Sequence, residues 1–420
     1  MHCPLATSTT ADQPLHRHEV ALFFEKIQSD EKKECPLWNG NGLYQITIQN
    51  PFGSDDDDDD DDSEDDDDDD DDSEKEYEAG YYISHGITYD TLRTVLLKLC
   101  NLFYVQFCHV EAAVGVDATQ VRPRRFVCAV GISEGPYLAL CILMLHFSNL
   151  LEKDCDIVIV PIDLSEGKER VQYQLHHVRC NVLFVRGAEH SVASNWDTEQ
   201  MRVIDIEEFL SAALDLSGDG MTAINFPNLL QVTREIIRKV NDDDTKSSIF
   251  EKYKYTSHIV YTSGTTGVPK GCVSSMNALL HYVCAKNEAH EIDRNSTVLL
   301  ASSVSFDPCL SDIIATFYAE GTLALPQKTY MQANMSGVCS RLGATHILCT
   351  PSLWKLMPMH RMDGRVTSIL KVVALGGEPI PTRIRKAWAR DQITSNDVKL
   401  FATYGVTEGK RSLTYFVKCF

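Results

Sequence analysis

Tyr261-Thr-Ser-Gly-Thr-Thr-Gly-Val-Pro-Lys270-Gly271 is the stretch that decides the reading of this sequence. It carries three glycines, four aliphatic hydroxyls and one lysine. Glycines let backbone N–H groups turn toward an anion, hydroxyls donate to it, and the lysine neutralises its charge. That is a phosphate-binding composition. It is not a Walker A loop, because no Gly-Lys-Ser/Thr stands at the required spacing. An apolar β-rich run, His258–Tyr261, precedes it, and Met276, Leu279, Leu280, Val283 and Cys284 follow at helical spacing. The expectation is a strand-to-helix loop.

Working outward, the same alternation recurs. Short β-rich runs lie at Phe126–Val130, Ile157–Val160, Asn181–Val185, Thr297–Ser302, Thr322–Leu325, Thr345–Cys349, Lys371–Leu375 and Val398–Thr403. Helical patterns cover Tyr89–Phe103 and Pro136–Leu151, and Leu310, Ile313, Ile314, Phe317 and Tyr318 make another, closed by Gly321. Buried strands alternating with one-sided helices predict an α/β fold of mostly parallel sheets covered by helices. Residues 186–250 read as less regular. Four polar or glycine-rich segments directly follow predicted strands: Thr262–Gly271, Phe306–Ser311, Gly376–Pro379 and Tyr404–Glu408. Ligands of such sheets bind outside the carboxyl ends of the strands, so these segments are expected to share one crevice.

The net charge of −21 over 420 residues comes mainly from two aspartate runs, Asp55–Asp62 and Asp65–Asp72. With Glu64 and Glu74 they hold 18 acidic residues, leaving the rest of the chain near −3. The acidic low-complexity loop, 51–78, cannot bury surface and reads as a solvated insertion. A second reading makes it a regulated contact loop, with Ser63 and Ser73 as phosphorylation sites. No basic stripe invites nucleic acid. The longest apolar run, Tyr137–Phe147, is too short to cross a membrane. Fourteen scattered cysteines form no C-x-x-C pair and no zinc spacing, which suits a reducing, cytoplasmic setting. Residues 1–17 read as a disordered tail and His18–Glu25 as the first ordered element. A short strand is expected at Leu43–Ile48.

The decisive stretch resembles the phosphate loop of the adenylate-forming (AMP-binding) superfamily, which includes acyl-CoA synthetases, luciferases and the adenylation domains of nonribosomal peptide synthetases. Further segments resemble the family's motifs in the family's order. They are Ile87-Thr-Tyr-Asp-Thr-Leu92, Val160-Pro-Ile-Asp163, Phe306-Asp-Pro-Cys309, Leu375-Gly-Gly-Glu378 and Tyr404-Gly-Val-Thr-Glu408. The likeness covers residues 18–408. HEVALFFE near the start, FDP and ALGGE are most similar to the beta-alanine-activating, aminoadipate-semialdehyde-dehydrogenase-like branch.

The resemblance implies ATP-dependent activation of a carboxylic acid as its acyl-adenylate, with Mg2+ as cofactor. It implies roles for Thr262, Ser263, Gly264, Thr265, Thr266, Gly267 and Lys270 on the β- and γ-phosphates. Tyr404 would stack on adenine, Thr407 would meet the α-phosphate, and Glu408 would hold Mg2+. Gly376, Gly377 and Glu378 would line the adenine and acyl pocket, with Thr403 beside them. Thr262, Lys270, Thr407 and Glu408 form the implied catalytic set.

Asp307 points to an amino acid substrate. A carboxylate on the pocket floor is costly unless it meets a cation, and in peptide-synthetase-like members the matching aspartate pairs with the substrate ammonium. The plainer reading is an aspartate capping the helix through Leu310. The thiol acceptor would be a phosphopantetheine carrier or CoA.

Two departures from the family stand out. Ala402 occupies a position where peptide-synthetase-like members carry an adenine-reading asparagine. The chain ends at Phe420, before the family's later motifs, and Gly409–Phe420 reads as a divergent tail. The expectation is therefore a large N-terminal lobe with the small C-terminal lobe absent, and weak or no adenylation by this chain. Two alternatives stay open: an acyl-CoA synthetase for a non-amino acid, and a truncated, non-catalytic nucleotide-binding or regulatory protein.

Overall fold

Side chains alternate across a strand, so a strand that feeds two cores must be apolar on both faces. Strands of this protein show that division directly. The computed structural model describes residues 20–27, 44–46, 82–108, 124–151, 155–187, 189, 193, 201–215, 255–263, 268–357, 369–389, 398–405, 407 and 413–416. The tail 1–17 and the acidic loop 51–78 lie outside the described residues.

In chain order the first strands are β1 (Val20–Ile27), β2 (Tyr44–Ile46) and β3 (Tyr82–Thr88). Helix α1 (Tyr89–Phe103) follows, then β4 (Arg124–Val130), α2 (Pro136–Leu151), β5 (Cys155–Pro161), α3 (Lys168–His177) and β6 (Val182–Val185). Next come β7 (Arg202–Asp205), α4 (Ile206–Asp215), β8 (Thr256–Thr262), β9 (Lys270–Ser275), α5 (Met276–His290), β10 (Thr297–Leu299) and α6 (Asp307–Tyr318). The remaining strands are β11 (Thr322–Leu325), β12 (His346–Cys349), β13 (Val372–Gly376), β14 (Lys399–Tyr404) and β15 (Leu413–Phe416).

They make two sheets. The larger is ordered β15-β14-β13-β12-β10-β11-β1-β3-β2 and the smaller β7-β6-β4-β5-β8-β9. The interior pairs are parallel. Antiparallel pairing is confined to the flanks: β8 with β9, β14 with β15, and β3 with β1 and β2.

In the smaller sheet Phe126, Cys128, Ile157, Ile159, Val182 and Phe184 face one core, and Val127, Ala129, Val158, Val160, Leu183 and Val185 face another. The first core contains α1, α2, α4, α5 and α6 together with Leu323 and Leu325 of the larger sheet. Those helices are therefore sandwiched between the sheets. α2 is buried at every position from Tyr137 to Asn149, as a helix enclosed on all sides must be. Val171 and Leu175 of α3 cover the outer face of the smaller sheet. Met331, Val338, Trp354 and Ile384, from four short helices, cover the outer face of the larger. The result is five layers, helix-sheet-helix-sheet-helix.

Three expectations are corrected. The decisive stretch does not run from strand to helix. It joins β8 to an antiparallel strand, β9, in register Thr262↔Lys270, and α5 starts only after Ser275 caps it. Lys270 therefore lies on a strand. The physical reason is that β9 is a sheet-edge strand, exposed at Lys270 and Val273, so it lacks the apolar alternation that would announce it. The region 186–250 contains β7, which extends the parallel sheet, and α4, which caps its inner face. After α6 the left-handed residue is Glu320, not Gly321. Gly321 is small for another reason: a Cβ there would lie 2.8 Å from the Asp293 carbonyl.

One ion pair is enclosed in this architecture. Lys286 of α5 donates to Asp312 of α6, and both side chains are almost wholly buried. Burial disfavours both charges, and the carboxylate of Asp312 holds the Lys286 ammonium above its ordinary range.

Candidate active site

Parallel strands end on the same side of a sheet, so loops from distant parts of the sequence meet there. In the smaller sheet that rim carries Gly131–Gly135 after β4, Ile162–Asp163 after β5 and the hairpin loop after β8. In the larger it carries Leu300–Phe306 after β10, Pro326–Gln327 after β11, Thr350 after β12, Gly377–Glu378 after β13 and Gly405 after β14.

Among the described residues two hydrogen bonds join the rims. Ser303 Oγ donates to Asp163 Oδ2 at 3.3 Å, and the backbone N–H of Lys328 donates to Glu134 Oε2 at 2.8 Å. A small cleft lies at this junction, lined by Ser133, Glu134, Ser302, Ser303, Pro326 and Lys328 among others. Burial works against the Asp163 charge. The Ser165 hydroxyl and N–H at 2.6 and 3.0 Å, the Lys328 ammonium and Ser303 outweigh it and hold the carboxyl below its usual range.

On the smaller sheet's side stand Thr262, half-buried at the end of β8, exposed Ser263, and exposed Lys270 across the hairpin from Thr262. Gly264, Thr265, Thr266 and Gly267 lie outside the described residues. Tyr261, one residue before the loop, is buried and donates its hydroxyl proton to the Gln174 carbonyl at 3.1 Å.

On the larger sheet's side Gly376 and Thr403 are cross-strand partners. A Cβ at Gly376 would run into Thr403 Oγ1 and lie 3.0 Å from the Thr403 carbonyl, so only glycine fits. Gly377 turns with φ +81° beside Thr350. Glu378 accepts from Ser352 Oγ at 2.6 Å, which fixes its carboxylate. Tyr404 closes β14 and is 64% exposed, an aromatic residue open at the rim. Thr407 is half-buried just beyond. Glu408 lies outside the described residues, so its position relative to Lys270 does not enter the geometry.

Asp307 opens α6 after the β10 loop and is half-buried. It is not the cap of that helix. Phe306 holds the cap position and makes no side-chain cap bond, while Pro308 supplies the preset first turn. Phe306 is exposed at the same rim.

The rim therefore gathers Thr262, Ser263, Lys270, Asp307, Gly376, Gly377, Glu378, Thr403, Tyr404 and Thr407 on strand ends of two abutting sheets. Ser133, Glu134, Ser303 and Lys328 were missed as rim residues. A strand-end rule applied to every strand, and not only to glycine-rich segments, would have found them. Among the described residues no cluster of three or more His, Cys, Asp or Glu could hold a metal ion, and no helix is long and apolar enough to cross a membrane.

The AMP-binding enzyme profile matches residues 154–416, well over half of the chain. This chain belongs to the AMP-binding enzyme family. Among curated AMP-binding relatives, nonribosomal peptide synthetase 9 of Aspergillus fumigatus is 30% identical over 152 residues, 36% of this chain and 12% of that protein. The CymA nonribosomal peptide synthetase of Salinispora arenicola is 32% identical over 250 residues, 59% of this chain and 3% of its own. The chain thus spans a small fraction of the length of the curated relatives it matches.

Solved AMP-binding structures share the fold. The FmoA3 nonribosomal peptide synthetase superposes with a TM-score of 0.58 at 16% identity, over 79% of this chain and 30% of that one. The Klebsiella oxytoca NpsA N-terminal subdomain, in complex with 3-hydroxybenzoyl-AMSN, does so with a TM-score of 0.56 at 15% identity, over 79% and 69%. The α/β fold of mostly parallel, helix-covered sheets is that of the N-terminal lobe of adenylation domains.

Proposed function

We propose that this chain binds ATP at the shared rim and activates a small carboxylic acid as its acyl-adenylate, ahead of thioester formation. One carboxylate oxygen of the acid attacks the α-phosphorus. The bond from that phosphorus to the α,β-bridging oxygen breaks, and pyrophosphate leaves. Nucleophile and leaving group both belong to the substrates, so the protein contributes positioning and charge.

The reading rests on one observation: the phosphate-loop hairpin and the Gly376–Tyr404 strand ends occupy abutting rims, tied through Asp163 and Ser303. Thr262 to Lys270 would take the β- and γ-phosphates. Exposed Tyr404 offers a stacking face for adenine, and the bare Gly376-Gly377 backbone would floor the pocket. Thr407 would meet the α-phosphate. Mg2+ would be held by Glu408 and phosphate oxygens, where it supplies neutralising charge for the departing pyrophosphate. An AMPPNP-bound form of FmoA3 shares the fold, which supports ATP as substrate.

Asp307, half-buried as the first residue of α6 at the rim, would offer its carboxylate to the ammonium of an amino acid. The 3-hydroxybenzoyl-AMSN complex of NpsA keeps aryl acids among the substrates to test. An adenylation–carrier fusion built on NpsA supports a phosphopantetheine carrier as acceptor.

The deciding experiment titrates Mg·ATP into the full chain while following thermal unfolding, then measures acid-dependent pyrophosphate exchange over a panel of amino and non-amino acids. Wild-type protein is expected to melt higher with nucleotide, and Lys270→Ala to weaken binding by roughly tenfold to a hundredfold, the loss of one charge-assisted bond. An unchanged melting temperature at millimolar Mg·ATP would sink the nucleotide reading and favour a non-catalytic role.

A further inference from the structure

The second strand of the phosphate-loop hairpin has little packing of its own. β9 is an edge strand, Lys270 and Val273 are exposed, and the strand is at most half-buried anywhere. Something must fix where its loop sits. On the outer face of the sheet, directly before Thr262, the β8 strand carries Tyr261. Its ring passes beside its cross-strand partner Gly271, where a Cβ would stand 3.5 Å from ring atoms Cε1 and Cζ. Its hydroxyl reaches α3 on the outer face of the sheet. There it meets two groups, the Gln174 carbonyl at 3.1 Å and His177 Nδ1 at 2.7 Å.

The proton count settles the roles. A phenol has one proton, and the Gln174 carbonyl can only accept. The Tyr261 proton therefore goes to Gln174, and His177 Nδ1–H donates to the phenol oxygen. Burial pushes the Tyr261 phenol well above its usual range, so it keeps that proton. The imidazole is itself held flat by Tyr173, whose ring lies 5.5 Å away at an interplanar angle of 9°. A chain of contacts thus runs Tyr173, His177, Tyr261, Thr262.

We propose that Tyr261 and His177 are positioning residues for the phosphate loop: α3 grips the hairpin at its root and sets the angle at which Thr262 and Lys270 present themselves. The inference rests on the nucleotide reading above for its consequence, though not for its geometry. The effect of this tether is transmitted through one peptide bond, from Tyr261 to Thr262.

The test uses the full chain and three variants: Tyr261→Phe, which removes only the hydroxyl; His177→Ala, which removes the donor; and His177→Asn, whose amide nitrogen replaces Nδ1. Two quantities are read, the dissociation constant for Mg·AMPPNP by titration calorimetry and hydrogen–deuterium exchange of the 263–270 segment in free protein. Y261F and H177A should bind about threefold to tenfold more weakly and exchange faster in that segment, as loss of one hydrogen bond implies. H177N should restore both to within about twofold of wild type, which a merely structural role at this surface position would not require.

Wild-type affinity in Y261F, or H177N as impaired as H177A, overturns the tether. Should the wild-type chain bind no nucleotide, the function reading fails, and exchange alone judges the tether: an unchanged 263–270 rate in Y261F sinks it. Should Y261F unfold, the H177A and H177N pair carries the decision.

Discussion

Lys286 and Asp312 put two opposite charges where neither can reach water. Removing one partner leaves the other stranded, at a cost of about 3–5 kcal/mol, while replacing both with apolar groups of like volume is often neutral. Lys286→Met and Asp312→Leu should each lower stability by that order in denaturant titrations, and the double variant should recover most of it. A double variant as unstable as the sum of the singles would mean that the pair is not coupled. Asp312 was hidden from a sequence reading because α6 looks like an ordinary one-sided helix, yet every residue from Cys309 to Tyr318 is buried. Lys286 extends the spacing of Met276, Leu279 and Val283, and a charge in an apolar register was the available sign of a buried partner.

At the level of elements, α5 begins where β9 stops, and Ser275 serves both. Its hydroxyl accepts from Ala278 N at 3.2 Å. Ser275→Ala should cost about 1 kcal/mol, the usual value of an N-cap, measured as a lowered melting temperature with the fold intact by circular dichroism. The elements legible in the sequence were those whose apolar residues form a buried strand run or a helical stripe, the amphipathic Tyr89–Phe103 included. Thr322–Leu325 and Pro136–Leu151 have the bounds expected of them. β10 is shorter than its run, because the chain leaves the sheet at Leu300 toward the rim. The β9 strand, KGCVSS, was illegible because an edge strand answers to its neighbour's hydrogen bonds and not to a core. α4 was obscured by Glu207 and Glu208 in its first turn, which suit a helix N-terminus but mimic a solvated loop. The candidate site was legible as segments and not as a surface: Gly376 and Thr403 were expected in one pocket through the resemblance, and the register makes them cross-strand partners.

Across the described residues, four histidines are buried as neutral rings. Burial lowers His258 to about 4 and His346 to about 4, and lowers His146 and His290 to about 3, with Lys286 and His346 adding to the effect at His290. The unfolded chain, with histidines near 6.5, binds protons first as pH falls. The stabilisation is therefore complete above about 6.5 and is lost on the way down toward the folded values, at up to about 1.4 kcal/mol per pH unit for each ring. Melting temperature should be flat from pH 8 to 7 and fall steeply between 6 and 4. A flat profile through pH 5 would mean that these rings are not held neutral.

The enclosure of α2 has one more consequence. A helix enclosed between two sheets belongs to both, so each half of the molecule has an outer core of its own and shares the inner one. Loosening that shared partition is therefore expected to disturb the β8–β9 hairpin and the Gly376 strand ends together, because both sheets lean on the same inner core.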